Sequence, residues 1–151
     1  MVGQVNRVGT ISTLMKIIHK SSRAGKAEKV KGISYIDTGP FPIYLGFTRS
    51  EHAFKAEMRR LGVGVHEEFI RHGCNGRTHA FEHPKHGVIV IVCMGSTNGK
   101  TASVHGLLVH ETMHVYRHLL ETMHCSSPRG EFEAYTVQFI AQRLFELANV
   151  K

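Results

Sequence analysis

His110 and His114 lie four residues apart and enclose Glu111, in the arrangement H-E-x-x-H. On an α-helix, side chains four residues apart project from one face, about 5 to 6 Å apart at Cβ. Two imidazoles at that spacing can bind one metal ion, and a glutamate beside them can take a proton from water that the metal activates. The pattern therefore predicts a metal centre for hydrolysis, with His110 and His114 as ligands and Glu111 as general base.

The residues around this motif, 104–121, have the periodicity of an amphipathic helix. The apolar arc contains Val104, Leu108, Val109, Met113, Val115, Tyr116, Leu119 and Leu120. The motif falls on the opposite, polar arc, which is also what a plain solvent-exposed face looks like. Leu107 lies within the polar arc one turn before His110, which indicates that another part of the chain covers this side.

A second helix is predicted to begin just before Glu131, with Ser126 or Ser127 as its N-cap and Pro128 in its first turn. Its polar stripe consists of Glu131, Tyr135, Gln138 and Gln142. The short connection makes the two helices antiparallel neighbours, which can bring Glu131 opposite the two histidines.

The motif followed at short range by E-x-x-A, Glu131 to Ala134, resembles the zincin metallopeptidases whose third zinc ligand is a glutamate on a second helix. The resemblance implies a zinc ion held by His110, His114 and Glu131, and it favours Glu131 over Glu133. Such enzymes usually have Asp or Asn after the alanine, where this chain has Tyr135.

Four segments together resemble small bacteriophage-encoded proteins that are described as metallopeptidases. They are G-F-T-R-S-E at 46–51, M-R-R-L-G-V at 58–63, the H-E-x-x-H helix and E-F-E-A-Y at 131–135. This resemblance covers residues 43–148 and implies a peptide or protein substrate. It also implies a location in the host-cell cytoplasm, or in the virion.

A hydrolytic site of this kind also needs a residue that stabilises the developing oxyanion. Glutamate-type zincins usually supply a histidine or tyrosine for it, and no histidine follows Glu131. Tyr135, His118 and Arg117 are the candidates. The alternative function is a non-catalytic virion or assembly protein in which zinc only stabilises the fold.

The formal charge of +7 is concentrated in residues 1–32, where seven basic residues stand against one acidic residue, giving +6. We interpret these residues as a basic N-terminal arm that docks to a larger assembly, with nucleic acid as an alternative partner. Three cysteines without C-x-x-C spacing indicate a reducing compartment. No apolar run is long enough to predict a membrane span.

Residues 33–151 are predicted to form one zincin-like α+β domain, with a small sheet packed on the H-E-x-x-H helix and the C-terminal helix. Strands are predicted at 33–37 and 42–47, followed by a helix that Ser50 caps and Gly62 ends. A hairpin of 78–83 and 88–94 follows, and its second strand is apolar throughout, as a strand buried on both faces should be. The zincin resemblance implies that a strand of this hairpin binds an extended substrate.

Overall fold

A computed structural model describes residues 30–64, 67–97 and 101–149. The elements are β1 (Ile33–Ile36), β2 (Ile43–Thr48), α1 (Glu51–Arg60), β3 (Gly76–His83), β4 (Gly87–Met94), α2 (Thr101–Thr122) and α3 (Glu131–Ala148). The protein is therefore of mixed α and β structure, as its sequence predicts. The basic arm of residues 1–32 lies largely outside the described residues.

The four strands form one sheet in the order β1-β2-β4-β3. β2 and β4 are parallel, whereas β1 pairs with β2 and β3 pairs with β4 in antiparallel fashion. β4 lies inside the sheet and both of its faces are covered, which confirms the prediction from its apolar sequence. Within the described residues β3 is an edge strand, with β4 as its one neighbour.

Alternate residues of β4 enter two different cores. Ile89, Ile91 and Cys93 face α1 and pack with Phe54 and Met58. Val90, Val92 and Met94 face the opposite way and pack with residues of α2 and α3. The sheet is thus a middle layer, and the H-E-x-x-H helix packs on one of its faces.

The helix α1 forms as its sequence predicts. The hydroxyl of Ser50 accepts a hydrogen bond from the N–H of Ala53 at 3.2 Å, which satisfies one of the free donors of the first turn. Gly62 takes a φ of +69° just after the helix ends. Phe54, Met58 and Leu61 are buried, as their spacing predicts.

The N-terminus of α3 differs from the prediction. The helix begins at Glu131, but its N-cap is Gly130 and not Ser126 or Ser127, and no side chain caps it. Gly130 has a φ of +60°, which glycine adopts without strain, so the chain can turn directly into the helix there.

The helices α2 and α3 pack as antiparallel neighbours. His105 near the start of α2 lies against Phe145 near the end of α3, with ring centroids 5.3 Å apart. Among the described residues no helix combines the length and the apolar character that crossing a membrane requires.

Candidate metal centre

The helix α2 brings the side chains of His110 and His114 together, as the four-residue spacing predicts. Their Nε2 atoms lie 3.1 Å apart and the ring planes are inclined by 72°. Two nitrogen ligands of a tetrahedral zinc ion, each about 2.05 Å from the metal, are roughly 3.3 Å apart. The two imidazoles therefore present their nitrogens at nearly the separation that one zinc ion requires.

Glu111 completes the group. Single ligand atoms of His110, Glu111 and His114 all lie within 4.8 Å of one another, and no other set of three metal-binding side chains in the described part of the chain comes this close. Histidine nitrogen and carboxylate oxygen are both ordinary zinc ligands. His110 and His114 thus fit a zinc ion as two of its ligands, with the carboxylate of Glu111 next to them.

Glu111 is buried, although its periodicity placed it on the polar arc of α2. Its exposed fraction is 2%. The hydroxyl of Thr78 in β3 donates a hydrogen bond to its Oε2 at 2.6 Å. A buried carboxylate needs such a partner, because desolvation without one is costly. Thr78 therefore fixes the orientation of the predicted general base.

Gly76 in β3 allows the strand to approach this carboxylate closely. A Cβ atom at position 76 would lie 2.8 Å from Oε1 of Glu111 and 3.1 Å from Cδ1 of Leu107. Any larger residue would have to displace Glu111 or the strand. The covering element that Leu107 indicated in the sequence is thus the N-terminal end of β3.

The group lies in an open cleft between α2 and β3. On one side a cavity of about 640 Å³ is lined by Cys74, Asn75, Gly76, Ser96, Thr97, Ser103, Leu107, His110 and Glu111. On the other side a cavity of about 340 Å³ is lined by Arg71, Cys74, Gly76, Arg77, Thr78, His110, Glu111 and His114. His110 is exposed and His114 is half-buried, so both can be reached from solvent.

The structure does not bring Glu131 and Tyr135 into this group. Both side chains are exposed, Tyr135 by 65%, and neither lines the two cavities. The whole predicted stripe of α3 faces solvent, because the helix turns Thr136, Ile140 and Leu144 into the core. Glu131 as third ligand and Tyr135 as oxyanion donor therefore stay predictions, and Glu133, also exposed, stays the alternative.

The other two candidates for stabilising an oxyanion also lie outside the group. Arg117 is exposed on α2. His118 is half-buried, and its Nδ1 lies 3.2 Å from Oε2 of Glu121. His118 and Glu121 line a third cavity, of about 500 Å³, with residues 80–82 of β3. This cavity lies between α2 and β3, farther along both elements than the metal group of His110, Glu111 and His114.

Two residues of the site, Gly76 and Thr78, do not stand out in the sequence. Gly76 carries a weak signal, because a glycine within a strand often marks the close approach of another group. Thr78 carries none, since its contact with Glu111 depends on how β3 lies across α2. The predicted hairpin began at residue 78, two residues after the observed start of β3.

Comparison of the chain with models of protein families, with curated proteins and with solved structures finds no match. The chemistry of this centre therefore has to be inferred from its own residues.

Proposed function

We propose that the protein is a zinc-dependent peptide hydrolase with a zincin-like fold. The observation that carries the proposal is the pair of Nε2 atoms 3.1 Å apart next to a buried, hydrogen-bonded carboxylate. If the two histidines were only part of a solvent-exposed face, nothing would require the glutamate next to them to be enclosed by a neighbouring strand. The enclosed glutamate in an open cleft is what a hydrolytic site requires.

Each residue of the group has a distinct task in this proposal. His110 and His114 would hold the metal through Nε2. A bound zinc ion would supply Lewis acidity, which lowers the pKa of water and polarises a carbonyl group. Glu111 accepts the proton of the attacking water and later delivers it to the leaving amine. Thr78 keeps one carboxylate oxygen of Glu111 engaged while this happens.

The third protein ligand that we propose is Glu131, on the basis of its E-x-x-A context, and Tyr135 is the proposed donor to the oxyanion. Both are in the first turns of α3, where their side chains are exposed to solvent. Replacing Glu131 with Gln should weaken zinc binding more than replacing Glu133 does. If replacing Glu133 weakens zinc binding more than replacing Glu131, Glu133 is the third ligand.

A peptide is the proposed substrate because β3 offers a strand edge beside the metal group. Thr78 of this strand contacts Glu111, and a further cavity lies along the strand at residues 80–82. An extended peptide can pair its backbone with such an edge, which would position a peptide bond along the cleft. Alternate side chains of the peptide would then enter the cleft.

The replacement of Glu111 with Gln tests the proposed function. Zinc-loaded protein is incubated with a degenerate peptide pool, and cleavage is followed by mass spectrometry together with zinc content. The variant should lose activity about 100-fold or more while its zinc content is unchanged, because general base catalysis is removed and the ligands are kept.

The matched control is Glu51→Gln, an exposed carboxylate of α1 that lines none of the three cavities, which should retain activity. Cleavage by Glu111→Gln at the wild-type rate would contradict the proposal. A wild-type protein that binds zinc and cleaves nothing would favour the alternative, in which zinc stabilises a virion or assembly protein.

A further inference from the structure

The cleft is electrostatically uneven on the two sides of the metal group. The larger cavity is lined, apart from His110 and Glu111, by uncharged residues such as Asn75, Ser96 and Ser103. The smaller cavity is lined by two arginines, Arg71 and Arg77. Among the described residues that line the two cavities, positive charge therefore lies in the smaller cavity alone.

The guanidinium of Arg77 already has hydrogen-bond partners. It donates to Oε2 of Glu67 at 2.7 Å and to the carbonyl oxygen of Glu68 at 2.8 Å. Arg71, in contrast, is exposed and pairs with no carboxylate among the described residues. Arg71 is therefore the cation of this cavity whose hydrogen bonds are available to a ligand.

The backbone on both sides of Arg71 is held in place. Before it, the carbonyl of Phe69 lies 3.1 Å from Nε2 of His79, and the Phe69 ring packs on Phe54 at 5.8 Å. After it, the N–H of Cys74 donates to the carbonyl oxygen of Arg71 at 3.0 Å and closes a turn. The backbone that carries Arg71 is thus held in place, and its side chain lines the cavity.

We infer that Arg71 binds a carboxylate of the substrate next to the bond that is cleaved. A guanidinium matches a carboxylate with two parallel hydrogen bonds, and partial enclosure in the cavity strengthens them. The inference rests on the proposed function for the bond that is cleaved, but the carboxylate site itself does not depend on turnover. The carboxylate comes either from an Asp or Glu side chain or from the C-terminus of the peptide.

The first experiment measures which peptides are cleaved. The degenerate pool is prepared with free and with amidated C-termini, and products are sequenced by mass spectrometry. Matched Glu and Gln versions of the best peptide then give kcat and KM. If Arg71 binds a side-chain carboxylate, the Glu version has the higher kcat/KM with either terminus. If Arg71 binds the C-terminus, the peptides with a free C-terminus have a higher kcat/KM than the amidated ones, and the Glu and Gln versions do not differ.

Replacing Arg71 with Gln should reduce kcat/KM for the carboxylate-bearing peptide by about 10- to 100-fold, mainly through KM. It should leave the uncharged peptide unaffected, and Arg71→Lys should restore part of the loss. The matched control is Arg59→Gln, an exposed arginine of α1 that lines neither cavity, and it should behave as the wild type. Cleavage without any preference for a carboxylate would overturn the inference while the proposed function stands.

The second experiment measures binding without turnover. Fluorescein-labelled Glu and Gln versions of one peptide, each with a free or an amidated C-terminus, are titrated against the Glu111→Gln protein and against the same protein with Arg71→Gln. Tighter binding of a carboxylate-bearing version that disappears with Arg71 supports the site even if no peptide is ever cleaved. Equal binding of all versions, or none at all, would overturn the inference.

Discussion

Glu111 and His110 are adjacent in sequence but lie in different environments. His110 is exposed to the cleft, whereas Glu111 is enclosed by Gly76 and Thr78 of β3. The enclosure keeps the carboxylate in one orientation and beside the metal group. As the proposed general base, Glu111 would lose little conformational entropy on reaching the transition state, which is the advantage of a preorganised site.

The contact between Thr78 and Glu111 leads to a prediction for the proposed hydrolase. Replacing Thr78 with Val removes the hydrogen bond but keeps the shape of the side chain, so kcat should fall about 10-fold or more while KM and zinc content change little. Thr78→Ser restores the hydroxyl and should restore most of kcat. A serine variant as impaired as the valine variant would show that the hydroxyl does not position Glu111.

Among individual residues, the sequence predicted some members of the site and could not predict others. The spacing of His110 and His114 implies their closeness on any helix, because four residues make about one turn. The burial of Glu111 could not be predicted, because it depends on β3, which is more than 30 residues away in the chain. The same holds for Thr78 and Gly76.

Among the elements, α1 is joined to β1 by a buried carboxylate. The hydroxyl of Tyr35 donates to Oε1 of Glu57 at 2.7 Å, and Arg60 donates to both carboxylate oxygens at 2.6 and 2.7 Å. Burial alone would raise the pKa of Glu57, but the hydrogen bonds from Arg60 and Tyr35 outweigh it and hold the pKa below its ordinary value of 4.5.

This network predicts a dependence of stability on pH. Because the pKa of Glu57 is lower in the folded than in the unfolded protein, its charged form stabilises the fold above pH 4.5, and this contribution is lost as the pH falls. Glu57→Gln should therefore lower the free energy of unfolding at pH 7 by about 2 kcal/mol, and by less at pH 3.

Urea unfolding at the two pH values measures this difference. Glu51→Gln is the control, since its ion pair with Lys55 is exposed and should contribute less than about 1 kcal/mol. An equal loss of stability at pH 3 and pH 7 for Glu57→Gln would contradict the role of its charge.

The helices and strands could be predicted from the sequence more fully than their orientation relative to one another. The continuous apolar run of β4 and the periodicity of α1 both follow from which faces are buried, and both elements were predicted correctly. The apolar arc of α2 was only partly right, because Val109 and Met113 are 51% and 37% exposed. A helix that packs on a sheet and on one neighbouring helix leaves part of a broad apolar arc uncovered.

In the molecule as a whole, the group of His110, Glu111 and His114 lies at one edge of the sheet, between α2 and β3. α3 packs along α2 and buries its own apolar side, so its polar stripe is left in solvent. The rotation of α3 about its axis decides where Glu131 points. The sequence does not encode that rotation in any local pattern, whereas the four-residue spacing of His110 and His114 brings their side chains together on any helix.

The central claim is that His110 and His114 hold one zinc ion together, and the metal content of the purified protein tests it most directly. Inductively coupled plasma mass spectrometry should find about one zinc ion per chain in the wild type after dialysis. Replacing either His110 or His114 with Ala should remove most of that zinc, whereas His52→Ala, an exposed histidine of α1, should not. A wild-type protein that binds no zinc, or alanine variants at 110 and 114 that retain it fully, would contradict the claim.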